Sequence, residues 1–346
     1  MRTSNVSTLA ISLALRSATA RLQRDLPGLQ QEVNSGRYAD TGLALGAETR
    51  KLIAFHGDID HVQRLIDTNE QTQTRLTTSQ KGMSYLGDLA NQLMNAVGIV
   101  MGDANQYPTA QLAASNAVAE ITSVLNTQVN GAFVFGGQNV DNQPLSDYVT
   151  GPGKAAFDNA FLTHFGFDKY DPAAAALTRT DIDNFITAQV EPMFMGAGWT
   201  ATMSSATDEV VNSRISAGVV AETSVSANEN AFRELMMSAV VASELFDSNL
   251  GADALVGASQ FIIARAGSAS GAITKVQGRV GLVENRLTRV NEALDQQKTL
   301  FTLFAGELEA VDSYDAGIKL NTLLTQIEVS YQITARIQGL SLMNYL

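Results

Sequence analysis

The sequence is short of the residues on which most enzymatic and metal chemistry depends. Its 346 residues contain no cysteine and only three histidines, His56, His61 and His164. The absence of cysteine excludes disulfides, thiol catalysis and zinc–thiolate sites. His56 and His61 do not share a helical face, so their spacing predicts no zinc site. We therefore expect a chain without catalytic residues, cofactor or metal, which is not an enzyme.

Long apolar runs are missing as well. No uninterrupted apolar stretch reaches about 18 residues, the length at which a membrane-spanning helix is predicted. Arg2 is followed by three polar residues, and Arg16 interrupts the first apolar region, so no secretory signal peptide is predicted. These absences favour a cytoplasmic location or an export route that needs no signal peptide. We also expect no membrane partner.

The charge is strongly acidic and unevenly distributed. The chain has a net charge of -12, and residues 141–215 hold ten acids against four bases, whereas residues 1–40 hold five arginines against three acids. Binding to nucleic acid needs clustered Lys and Arg, so we expect no nucleic-acid partner. The acidic middle of the chain is expected to be solvated and to repel copies of itself.

Only six prolines occur, and none lies between Pro27 and Pro108 or after Pro192. Because proline interrupts helices, both stretches are free to form long helices. Apolar residues recur in them at steps of three and four, the repeat of coiled coils. The predicted bundle seam consists of Phe55, Val62, Ile66, Ile273, Val280, Leu287, Leu294, Phe301 and Leu308. We expect its first three members to pack, antiparallel, against residues 273–294.

Shorter elements lie between these two stretches. Residues 228–247 are predicted to form a third helix, residues 132–137 a short aromatic strand, and residues 209–226 a β-hairpin. Nine of the 23 aromatic residues fall between Tyr148 and Trp199, which predicts an insert with its own small core. The predicted fold class is mainly α: a long antiparallel helical bundle built from both termini, with a β-hairpin element and a small α+β insert domain.

Both ends of the chain are apolar, although chain termini are normally polar and frayed. Each apolar end needs a partner, either the other end or a copy of the same chain. This pattern is typical of a polymer subunit, and we predict an inner tube formed by both ends. Its predicted assembly residues are Leu9, Ile11, Leu13, Leu15, Leu22, Leu26, Ile333, Ile337, Leu340, Leu342, Met343 and Leu346.

Several motifs resemble those of the flagellin superfamily, and within it the hook-associated proteins of the hook–filament junction. Residues 29–37, LQQEVNSGR, resemble the end of the family's first helix, and residues 130–137, NGAFVFGG, its central hairpin. Residues 309–315, EAVDSYD, resemble the acidic segment before the last helix. The ending at residues 338–346, QGLSLMNYL, is similar to that of junction proteins, whereas flagellins tend to end in Leu-Leu-Arg.

The resemblance implies three domains: residues 1–40 with 312–346 as an inner helical domain, 41–147 with 209–311 as a middle bundle, and 148–208 as an outer insert. It also implies a structural subunit of the bacterial flagellum, in a ring of identical copies between a neighbouring hook-associated protein and flagellin. A cytoplasmic chaperone and the flagellar type III export apparatus are the further partners implied. The expected location is extracellular, at the hook–filament junction, reached without a cleaved signal peptide.

Two other functions compete with this interpretation. A flagellin filament subunit would share every bulk feature of the sequence, and the short insert and the Asn-Tyr ending argue against it. A glycan-binding or glycosidase module would use Asp181, Asp183 and Trp199 of the insert. Fewer than about 70 residues separate the two halves of the chain, which is too few for most carbohydrate-active folds.

Overall fold

The structure, a computed structural model, describes the backbone of residues 8–101 and 106–343 and the side chains of residues 10–101 and 106–337. Helices dominate this part of the chain. The α-helices are α1 (Thr8–Ser35), α2 (Thr41–Leu45), α3 (Thr49–Val100), α4 (Tyr107–Leu125), α5 (Pro152–Phe165), α6 (Arg179–Phe185), α7 (Glu191–Met195), α8 (Gly198–Thr202), α9 (Asn230–Leu245), α10 (Ala252–Glu309) and α11 (Ser313–Met343). The predicted mainly α fold is confirmed.

Two antiparallel hairpins complete the described part of the fold. Strands β1 (Gln128–Val129) and β2 (Ala132–Phe133) form the first, and β3 (Asn212–Ser216) and β4 (Val219–Glu222) the second. Gly218 turns the second hairpin at a φ of 76°, a conformation that favours glycine. Both hairpins lie beside the predicted insert. Within residues 148–208 themselves, the regular elements are helices and helical turns.

The chain divides into two compact units, and the first comprises residues 1–64 and 294–346. In this unit α1 packs along α11, and α3 packs on α10 through Phe55, whose ring centroid lies 6.1 Å from Phe301 and 5.8 Å from Phe304. Pro27 lies inside α1, where it removes one backbone hydrogen bond. A proline therefore did not mark the end of this helix.

The second unit comprises residues 65–293 and holds most of the buried core. Helix α9 lies at its centre, and twelve of its residues are buried. It packs on α4 and on α7. The aromatic side chains of the predicted insert, including Phe157, Phe185 and Trp199, belong to the same continuous core as α9. The prediction of a separate core for the insert was therefore wrong. The three-domain division as a whole stays a prediction.

The two long helices are antiparallel, as predicted, but their register differs from the expected one. In the second unit the Asn69 amide donates to Asn291 Oδ1 at 2.7 Å, and the Gln80 amide donates to the Gln277 carbonyl at 2.8 Å. Residues 273–280 therefore lie near residues 78–85, not near Phe55. The seven-residue repeat predicts which face of each helix is apolar, but several registers satisfy it equally well. Polar pairs such as these select one register.

Leu287→Asp tests the importance of the seam for stability. Leu287 has 0% of its surface exposed, so the substitution places a carboxylate in an apolar interface and is expected to lower the free energy of unfolding by about 3 kcal/mol. Urea unfolding followed by circular dichroism measures this loss. Leu282→Asp on the same helix is the matched control, since Leu282 is 73% exposed. Equal unfolding midpoints for the two variants would contradict a packed seam at this position.

Candidate assembly surfaces

The predicted inner-tube residues lie on the two terminal helices of the first unit. Among those whose side chains are described, Ile11, Leu13 and Ile333 are 38%, 57% and 40% exposed. The others are partly buried, namely Leu15, Leu22, Leu26 and Ile337. Leu346 and the side chains of Leu9, Leu340, Leu342 and Met343 lie outside the described part of the structure. Their place in an assembly interface stays a prediction.

The buried face of α11 was missed in the sequence. Ala316, Leu323 and Ile327 are its buried side chains among the described residues. Their spacing of seven and four is the helical repeat and was available as a signal. A groove of about 580 Å³ lies beside them, between α1 and α11, lined in part by Ala18, Leu22 and Val329. The helix pair therefore has a narrow packed face and leaves other apolar side chains in solvent.

Exposed apolar surface is concentrated in this first unit. Most of the large hydrophobic side chains exposed in the described residues belong to it, including Leu43 at 85%, Tyr314 at 79% and Ile53 at 66%. The C-terminal part of α10 contributes Leu300 and Leu303. Soluble monomers rarely leave large contiguous apolar patches in water, and such patches are typical of interaction surfaces. Large exposed apolar side chains are therefore denser in the first unit than in the second.

A single carboxylate joins three segments of the first unit. Glu309, at the end of α10, accepts from Arg37 Nη1 at 2.9 Å and pairs with His56 Nε2 of α3 at 2.7 Å. Backbone bonds run alongside: Tyr38 N donates to the Glu309 carbonyl and Val311 N to the Gly36 carbonyl. The chain leaving α1 is thereby held against the chain entering α11. His56 thus has a structural hydrogen-bond partner in this unit.

The seam residues are placed as core side chains. Those buried in the structure are Val62, Ile66, Ile273, Val280, Leu287 and Leu294, and those partly buried are Phe55, Phe301 and Leu308. In the second unit a polar contact accompanies the seam, because Thr77 Oγ1 donates to Glu284 Oε1 at 2.9 Å. Polar side chains at an otherwise apolar helix interface favour one register over its neighbours.

The side chains considered for glycan chemistry have structural roles. Trp199 is 0% exposed, and its indole N–H donates to Asn228 Oδ1 at 2.7 Å, so neither ring face is open to a sugar. Asp181 forms a capping box with Thr178 at the start of α6, and the hydrogen bonds from Thr178 lower the pKa of its carboxyl. Asp183 lies 3.8 Å from Arg179 in an exposed ion pair. This arrangement gives no support to the glycosidase alternative.

The structure offers no metal centre within residues 8–101 and 106–343. No group of three or more His, Asp or Glu side chains there is placed to hold a metal ion. Over the same residues, no helix combines the length and apolar character needed to cross a lipid bilayer.

Comparison with known proteins places both ends of the chain in one family. Residues 6–140 match the bacterial flagellin N-terminal helical region, and residues 263–346 match the bacterial flagellin C-terminal helical region. Together the matches cover more than half of the chain. The chain belongs to the flagellin family. It is therefore a structural subunit of the bacterial flagellum, an extracellular assembly. The residues between the matches include α9 and the predicted insert.

Two further comparisons add little to the flagellin match. A solved structure from Vibrio parahaemolyticus, described provisionally as a flagellar hook-associated protein, shares 11% identity at a TM-score of 0.40. The alignment covers 77% of this chain and 94% of that one. This likeness is too distant to bear on function. No curated protein matches the sequence.

Proposed function

We propose that this flagellin-family chain is the junction subunit between the hook-associated proteins and the flagellin filament. The observation that carries the proposal is the ending Ser-Leu-Met-Asn-Tyr-Leu at residues 341–346, which resembles junction proteins rather than filament flagellins. The subunit forms a ring of identical copies, with a hook-associated protein on one side and flagellin on the other. It is exported through the flagellar type III apparatus, with a cytoplasmic chaperone bound beforehand.

The division of charge supports assembly through the first unit. Residues 1–64 and 294–346 hold 11 Lys and Arg against 12 Asp and Glu, whereas residues 65–293 hold 12 against 23. Copies of a nearly neutral, apolar unit pack closely without electrostatic repulsion. A unit with a net charge of -11 is unfavourable near a narrow axis and favourable in solvent. The first unit is accordingly the part proposed to line the inner tube.

The competing function within the family is that of a filament subunit. A deletion strain separates the two functions by electron microscopy of cells and analysis of the medium. Loss of a junction subunit leaves hooks intact while flagellin accumulates unassembled in the medium, and the full-length gene restores filaments. Loss of a filament subunit leaves no such free flagellin. Intact filaments in the deletion strain would exclude both functions.

Deletion of residues 340–346 is expected to abolish assembly while leaving export and the second unit intact. Each buried aliphatic side chain contributes roughly 1.5 to 3 kcal/mol, so loss of Leu340, Leu342, Met343 and Leu346 removes about 6 to 12 kcal/mol of interface energy. Filament counts and secretion assays measure the effect. Ser341→Ala is the matched control, because it alters the deleted segment and keeps both its apolar positions and its Asn-Tyr ending. Normal filaments from the truncated chain would show that residues 340–346 are not part of the assembly interface.

A further inference from the structure

One flank of helix α10 carries a basic stripe. Lys275, Arg279, Leu282, Arg286 and Arg289 follow one another at steps of four, three, four and three residues, which places them on one side of the helix. All five are exposed. The stripe is about 21 Å long, at ~1.5 Å per residue. Its centre is the leucine, which is 73% exposed.

The stripe stands out against the unit that carries it. Residues 65–293 have a net charge of -11, yet the four charged positions of the stripe are all cations. Arg279 pairs with Glu229. Among the described residues no ion-pair partner is found for Lys275, Arg286 or Arg289. Three cations therefore remain uncompensated on a surface where acids are abundant.

This arrangement is unfavourable for an isolated subunit. Like charges three or four residues apart on a helix repel each other. Lys275 with Arg279 and Arg286 with Arg289 are such pairs, and each pair lowers the stability of the helix by a few tenths of a kcal/mol. A helix flank that only faces solvent normally mixes both signs of charge. The exposed leucine adds apolar surface that water does not stabilise. An acidic partner surface would relieve the repulsion and cover the leucine together.

We propose that the basic stripe binds acidic side chains of the second unit of a neighbouring copy of this chain, a unit with 23 Asp and Glu against 12 Lys and Arg. The inference rests on the proposed function, because it assumes that copies assemble. Each copy then presents cations to one neighbour and acids to the other. Such a head-to-tail contact closes into rings or continues as a helix. A nucleic acid fits less well, because phosphate binding needs more cations than the stripe has and the surrounding unit is acidic.

Charge reversal within the full-length chain tests the contact. Arg286→Glu with Arg289→Glu is expected to raise the concentration needed for self-association about tenfold, equivalent to 1.4 kcal/mol. The control is Lys81→Glu with Arg214→Glu, two exposed cations of the same unit whose reversal changes the net charge equally. It should shift that concentration no more than about twofold. Sedimentation velocity measures the self-association of the stripe variant and of the control. The difference between the two variants should shrink in 0.5 M salt, because exposed charges are screened.

The outcomes separate this inference from the proposed function. If the stripe variant associates like its control while deletion of residues 340–346 still blocks assembly, the stripe contact is wrong and the proposed function stands. If the wild-type chain does not associate at any accessible concentration, the stripe contact is wrong, and the deletion strain still decides the proposed function. Binding of a DNA duplex that is lost in the stripe variant, and kept in the control, would also overturn the inference.

Cross-linking provides an independent test of the partner. Because the chain has no cysteine, Leu282→Cys introduces a single thiol in the middle of the stripe. A thiol-attached photo-cross-linker on assembled subunits is expected to yield peptides joined to acidic segments within residues 65–293 of a second copy. A mixture of isotope-labelled and unlabelled chains distinguishes such products from links within one chain. Links confined to the same chain would contradict the proposal.

Discussion

Removal of residues 148–208, with a short Gly–Ser bridge in their place, is expected to unfold the region around α9 rather than leave a trimmed, working subunit. Arg233 of α9 donates through Nε to the Phe194 carbonyl at 2.6 Å, and Glu244 of α9 pairs with Lys154 and Lys169. These contacts show that one face of α9 is covered by the deleted segment.

The expected loss is large because the uncovered face is apolar. Helical spacing places Met237, Val240 and Val241 between Arg233 and Glu244, and all three are 0% exposed in the intact chain. Exposing three such side chains costs about 5 to 9 kcal/mol, comparable with the whole stability of many domains. Sequence composition alone indicated an insert with its own core, whose removal would leave the rest of the chain folded. The shared core reverses that expectation.

Near-UV circular dichroism and urea unfolding of the deletion variant test this result, with filament counts in cells as a second measurement. Val149→Ser with Leu162→Ser is the control, because these side chains of the same segment are 66% and 47% exposed. It should change the free energy of unfolding by less than about 1 kcal/mol. A deletion variant that unfolds cooperatively and still supports filaments would contradict the shared core.

Glu244→Ala is expected to lower the free energy of unfolding by about 3 to 5 kcal/mol, the typical cost of breaking a buried ion pair. The Glu244 side chain is 5% exposed, and its Oε2 accepts from Lys154 Nζ at 2.9 Å and from Lys169 Nζ. Lys169 is itself 3% exposed, so the substitution leaves a buried ammonium whose remaining carboxylate partner among the described residues is Asp158, at 3.7 Å. The pKa of the neighbouring Tyr148 hydroxyl is raised, mainly by burial and secondly by the negative charge of Glu244, so this hydroxyl stays neutral.

Asp183→Ala is the matched control for Glu244→Ala. It removes the carboxylate of the ion pair with Arg179, whose side chains are 50% and 47% exposed. Exposed pairs of this kind contribute roughly 0 to 1 kcal/mol, so the urea midpoint should hardly move. Pairing Glu244→Ala with Lys169→Met in a double-mutant cycle should recover part of the loss, because no buried charge is left alone. Equal losses from Glu244→Ala and Asp183→Ala would show that the buried cluster contributes no more than a surface pair.

Local patterns were sufficient to predict the long helices, helix α9 and the second hairpin. The long helices follow from proline-free stretches with a seven-residue apolar repeat, and the second hairpin from valine and isoleucine residues on both sides of a turn at Gly218. The apolar periodicity of one helix or strand involves only residues close together in the sequence, so it can be recognised in a short window of sequence. The assignment of the ends to assembly rests on the same kind of local signal, namely apolar residues at both termini.

The pairing of these elements was decided only by the tertiary structure. Phe55 meets Phe301 and Phe304 rather than residues 273–294, because a seven-residue repeat fits many registers and the polar pairs that select one lie some 200 residues apart in sequence. Trp199 is a core residue because Asn228 and α9 surround it, which its own neighbours in sequence do not show. The burial of a side chain depends on segments that are distant in sequence, so a local sequence pattern cannot predict it.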